Sequence, residues 1–148
     1  MTHFFEHSLL FSHLSFHIVS LKFSKKEKLK SRKAIQQLFE TRQSIHVFPL
    51  RLIWKKLDFP LSKTPAQFAV TVPKRAFAKA VHRNRIKRII REVYRLNKNS
   101  FYDALINEGE QYGLMFLYSG KKEPTFEEVE KALKKIKKIL AKKIEKRK

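Results

Sequence analysis

The sequence predicts an α+β domain, a small sheet flanked by helices. Three observations carry that prediction. Leu50, Leu52 and Trp54 alternate with Arg51 and Ile53, and Phe68, Val70 and Val72 alternate with Ala69 and Thr71. Period two with β-branched and aromatic residues is the mark of strands. A long helical stretch then precedes a third apolar run, roughly 112–118, and strand, helix, strand implies a crossover between neighbouring strands. Finally, Phe126, Val129, Leu133, Ile136 and Leu140 form an apolar face at helical spacing.

The chain has 148 residues, 43% of them hydrophobic, which suits one domain with a packed core plus tails. Its charge narrows the function. There are 34 Lys and Arg against 13 Asp and Glu, a net charge of +21. Such an excess repels itself in a compact state and calls for a polyanionic partner. Nucleic acid is the usual one, and an anionic membrane surface is the rival. There is no cysteine, which excludes disulfide scaffolds, Cys-ligated zinc and thiol catalysis and fits a reducing cytoplasm. Gly109, Gly113 and Gly120 are the only glycines, too few for a phosphate-cradling loop.

Residues 1–22 are apolar and His-rich, too short and too broken by Ser and His to span a bilayer. They also lack the basic leader and cleavage site of a signal peptide. His3/His7 and His13/His17 would share helix faces, but a disordered extension, or one from an upstream start codon, accounts for the segment more simply than a metal site. The domain is assigned to residues 23–140 and a basic tail to 141–148. Within the domain, Ser31 is placed to cap a first helix whose stripe is Ala34, Ile35, Leu38 and Phe39. Pro49 assigns the strand that follows to a sheet edge, and Pro60 and Pro65 punctuate the loop to the next strand. Thr125 and Glu128 have capping-box spacing at the start of the last helix.

The helix predicted over 78–97 carries the functional signal. From Lys74 to Arg95 there are nine Lys or Arg and one acid, Glu92. On a helical wheel Ile86, Ile89, Ile90, Val93 and Asn97 share one arc. Asn84, Arg88, Arg91 and Arg95 lie opposite, flanked by Arg85 and Lys87. A solvated face usually mixes signs, because like charges at i,i+4 destabilise a helix. Arg dominates this row, and its planar fork suits phosphate.

The stretch VTVPKRAFAKAVHRNRIKRIIREVYR closely resembles the signature of the bacterial ribonuclease P protein family. Its centre is Arg83-Asn84-Arg85, followed by Ile86, Lys87 and Arg88 and preceded by Lys74-Arg75. The likeness extends over about residues 24–140. It implies a four-stranded sheet with a left-handed crossover around the basic helix. It also implies a protein subunit of a ribonucleoprotein endoribonuclease that removes the 5′ leader of precursor tRNA. In that family the RNA performs the hydrolysis and requires a divalent cation, magnesium, so the resemblance implies no catalytic residue and no metal bound by the protein. The implied partners are the catalytic RNA and precursor tRNA, with neither DNA nor a membrane, in the cytoplasm. The RNA surface would comprise Lys74, Arg75, Lys79, Arg83, Asn84, Arg85, Lys87, Arg88, Arg91 and Arg95. The leader surface would include Phe39, Arg51 and Ile53, with Asn84, Lys87 and Arg91 at its edge. Two aromatics usual in the family are replaced, by Ile35 one turn before Phe39 and by Ile53 in the first strand. Stacking one base on an aromatic contributes about 1–3 kcal/mol, so these departures weaken the implied leader contacts. Phe39 is equally compatible with core packing.

The residues themselves point the same way on chemistry. A hydrolytic nuclease needs metal-binding carboxylates or a His acid–base pair. The acids are mostly Glu at helix starts, with Asp58 and Asp103 in loops, and His46 and His82 have no evident partner. A ribosomal or other structural RNA-binding protein is the alternative reading. A peripheral membrane protein using the last helix is a third.

Overall fold

The computed structural model describes residues 22–58, 60–105 and 110–147. The two His pairs and all but Lys22 of the N-terminal extension lie outside them. The chain folds as a 3-10 turn (Lys25–Glu27), α1 (Arg32–Glu40), β1 (Ser44–Val47), β2 (Leu50–Lys56), β3 (Ala66–Thr71), α2 (Ala80–Leu105), β4 (Tyr112–Tyr118) and α3 (Phe126–Glu145). The sheet order is β1-β2-β4-β3. β2 pairs antiparallel with β1 and β4, and β3 pairs parallel with β4. The crossover runs through α2, as predicted.

Both predicted caps form. Ser31 Oγ accepts from the Ala34 N–H at 3.2 Å. Thr125 Oγ1 accepts from the Glu128 N–H at 3.2 Å, and Glu128 Oε2 accepts from the Thr125 N–H at 3.4 Å. These bonds satisfy backbone donors that a helix start otherwise leaves open.

The sheet is packed fully on one face and partly on the other. One face meets α2 and α3, where Leu52, Trp54, Phe68, Leu114 and Phe116 pack with Ile86, Ile90, Tyr94, Leu133 and Ile136. The Phe68 ring stacks on Tyr94 at 4.2 Å. The other face is partly covered by α1, with Leu29, Ala34, Leu38, Ile53, Leu57 and Met115 in its core. α1 has only 9 residues, so it covers only part of that face.

Several expectations need correction. β1 is a fourth strand that period-two patterning does not reveal, because it has only 4 residues. β1, not β2, is therefore the edge on that side, and Pro49 sits in the β1–β2 hairpin with a cis peptide bond. α2 runs eight residues past Asn97, to Leu105, because Phe101 and Leu105 are buried. Residues 141–145 are not a tail but the end of α3, with Ile144 buried. Beyond them the Arg147 guanidinium lies 4.9 Å from the Trp54 ring.

The extra turns of α2 anchor the start of the domain. Lys98 Nζ, 2% exposed, donates to Glu27 Oε1 at 2.7 Å and also to the Lys22 carbonyl. Tyr102 Oη donates to Glu27 Oε1 at 2.6 Å, and the Ser24 N–H to Oε2 at 2.6 Å. The segment so held lies along β3, where the Leu29 N–H donates to the Phe68 carbonyl at 2.9 Å and blunts the sheet edge.

Candidate nucleic-acid interface

The cations of α2 fall into two groups once their neighbours are known. Arg83 turns back on the preceding loop, and its Nη1 donates to the Phe77 and Ala78 carbonyls, both at 2.7 Å. Arg85 Nη1 contacts Glu123 at 3.2 Å, and Arg95 contacts Glu92 at 2.6 Å. By contrast, Asn84, Lys87, Arg88 and Arg91 make no side-chain hydrogen bond or ion pair among the described residues; Lys87 is half-buried and the other three are exposed. The helical wheel treats all of these cations alike. Only tertiary neighbours separate those that hold the fold from those free to meet a ligand.

The loop before α2 adds Lys74, Arg75 and Lys79, all exposed. The first turn of α2 has no acid, so its backbone N–H groups and the loop cations project potential of one sign. Glu123 is the nearby counter-charge. It contacts His82 Nδ1 at 2.6 Å as well as Arg85, and these bonds hold its carboxyl below the ordinary range. The contacts tie the β4–α3 loop to the start of the basic helix.

The leader residues divide similarly. Phe39 is 57% exposed, which removes the core-packing reading. Arg51 is exposed on β2, level with His46 on β1 and Leu117 on β4, and Leu117 is level with Thr71 on β3. These four form a row across the sheet. Ile53 is different: at 7% exposure it packs in the core with Leu38 and Met115. Its side chain packs beneath α1 and offers little surface to a ligand.

The sequence model of the family described as Ribonuclease P matches residues 23–141. The chain belongs to the ribonuclease P family. The ribonuclease P protein component of Porphyromonas gingivalis is 35% identical over 112 residues, covering 76% of this chain and 81% of that one. That of Geotalea uraniireducens is 35% identical over 85 residues, 57% of this chain and 71% of its own. Among solved structures, the RNase P protein from Thermotoga maritima covers 76% of this chain and 96% of its own with a TM-score of 0.58 at 21% identity. The Staphylococcus aureus protein gives 0.59 at 18% identity, covering 76% and 94%. These likenesses carry the α+β fold, and the sequence matches carry the family and with it the role of protein component of the endoribonuclease. Among the described residues, no group of three His, Cys, Asp or Glu is arranged to hold a metal ion. No described helix is long and apolar enough to cross a membrane.

Proposed function

We propose that the chain binds the catalytic RNA of ribonuclease P through the exposed face of α2 and its preceding loop, and the 5′ leader of precursor tRNA through the open part of the opposite sheet face. The observation that carries this reading is the unpartnered set Asn84, Lys87, Arg88 and Arg91 beside Arg83 and Arg85, which are engaged within the fold. Arg88 and Arg91 serve as bidentate phosphate ligands. Lys74, Arg75 and Lys79 extend the same field, and Arg83 and Arg85 position it. On the other face Phe39 offers a stacking platform and Arg51 a charge for a single strand. The RNA supplies the chemistry with magnesium, and the complex works in the cytoplasm.

The test is RNA binding against salt for single Ala variants. Removing Arg88 or Arg91 should lower the log–log slope by about 0.7–0.9. Arg83→Ala should chiefly lower the melting temperature, because it strips two hydrogen bonds from the 73–79 loop. Unchanged slopes for both Arg88→Ala and Arg91→Ala would overturn the proposal.

A further inference from the structure

A second cationic surface lies on α3. Between residues 131 and 144 there are seven lysines and no acid. Lys131, Lys135, Lys138 and Lys142 are spaced four, three and four residues apart, all exposed. At 100° per residue they fall within about 60° of one another and run about 16 Å along the helix. They lie opposite the buried stripe Val129, Leu133, Ile136 and Leu140. None of the four makes an ion pair or side-chain hydrogen bond among the described residues, and the nearby Lys134–Glu130 contact is a loose 3.5 Å.

Sheet topology separates this stripe from the Arg row. α2 packs against β3, whereas α3 packs beside it against β1 and β2, at the opposite end of the same sheet face, with its lysine stripe turned away from the core they share. The stripe also works against its own helix, since like charges at i,i+3 and i,i+4 destabilise it. A merely solvated face could relieve that with interspersed acids, as the first turn of α3 does with Glu127 and Glu128.

We propose that this stripe docks along the phosphate backbone of double-stranded RNA. Three features choose that occupant. A straight α-helix offers a rigid line of charge, which matches the fixed phosphates of an A-form duplex read by shape. The stripe has no exposed aromatic, and single-strand binding depends on aromatic stacking. All four residues are Lys, compact charges suited to sequence-independent attraction rather than forked recognition. A membrane fits poorly, because the apolar stripe of α3 is consumed in the core and Ile139 is its one exposed large hydrophobic residue. That RNA is the polyanion rests on the family reading, but the surface is separate from α2 and is tested separately.

The experiment uses the full chain with all four lysines changed to Gln, a second variant with all four changed to Arg, and a charge-matched control, Lys25, Lys26, Lys30 and Lys63→Gln. The probes are a generic RNA duplex, a single strand of equal length, and vesicles of phosphatidylserine and phosphatidylcholine. Circular dichroism should find both α3 variants folded, since all four side chains are exposed and the Gln variant also relieves like-charge repulsion along the helix. For the duplex, the Gln variant should lose at least about tenfold in affinity and about 3 in log–log salt slope, four contacts at 0.7–0.9 each. The Arg variant should keep both, the control should lose much less, and the single strand should be less affected. Wild-type duplex affinity and slope in the Gln variant would overturn the proposal. So would an equal loss in the control, which would reduce the effect to net charge, or an equal loss on the single strand. Stripe-dependent binding to vesicles in preference to the duplex would reassign the surface to a membrane. Failure of Arg88→Ala and Arg91→Ala would count against α2 alone.

Discussion

At the scale of single residues, Glu27 is the most consequential group that the sequence conceals. Among Lys25, Lys26, Lys28 and Lys30 it reads as part of a solvated charge run, yet it is 5% exposed and pairs with buried Lys98. Burial raises its pKa, but the bonds from Lys98, Tyr102 and the Ser24 N–H outweigh that and hold its carboxyl below the ordinary value. A lowered folded pKa stabilises the protein above the unfolded value and loses that stability as pH falls through the folded one. The wild type should therefore lose this contribution below about pH 4.5. Glu27→Gln should cost about 3–5 kcal/mol near neutrality by leaving Lys98 buried without its partner, and the gap in melting temperature should narrow in acid. A gap constant from pH 7 to pH 3 would contradict the ion-pair account. Gly120 gives a second residue-scale test. A Cβ there would overlap the Tyr118 hydroxyl and lie 2.6 Å from its ring, and that hydroxyl is already held by the Lys122 carbonyl. Gly120→Ala should cost about 1–3 kcal/mol by overpacking, read by denaturant unfolding.

At the scale of elements, what the sequence reveals depends on whether a signal is local. Ser31 and Thr125 cap as read because a cap needs only its own next three residues. The final turns of α2 escape a sequence reading because Asn97, Asn99 and Ser100 favour turns over helix. Tertiary burial of Phe101 and Leu105 decides the matter instead. Strand β2 reads as one-faced, yet Ile53 is buried against α1 while Leu52 and Trp54 are buried against α2 and α3. Only the full sheet order explains burial on both sides. The same tertiary logic fixes where the domain begins. Deleting residues 1–21 should leave the melting temperature nearly unchanged, whereas deletion through Glu27 should lower it sharply, because Lys98 then loses both Glu27 and the Lys22 carbonyl. Thermal unfolding of the two truncations checks this. Phe39→Ala should leave stability within about 0.5 kcal/mol, as expected for an exposed side chain, while weakening binding of precursor tRNA with a long leader and sparing mature tRNA.

At the scale of the whole molecule, a +21 chain places 17 of its 34 Lys and Arg on α2, on the loop before it and on α3. In the proposed function two RNA polyanions meet, and their mutual repulsion is strongest when divalent cations are scarce. Positive charge between them raises affinity and association rate without breaking a bond. The most direct measurement is cleavage of a 5′-labelled precursor tRNA across a magnesium series, with protein alone, the matching catalytic RNA alone, and both. The account expects no cleavage by protein alone, cleavage with the RNA, and a protein benefit that is large at low magnesium and shrinks as the cation takes over the screening. Robust cleavage by nuclease-free protein alone would contradict it.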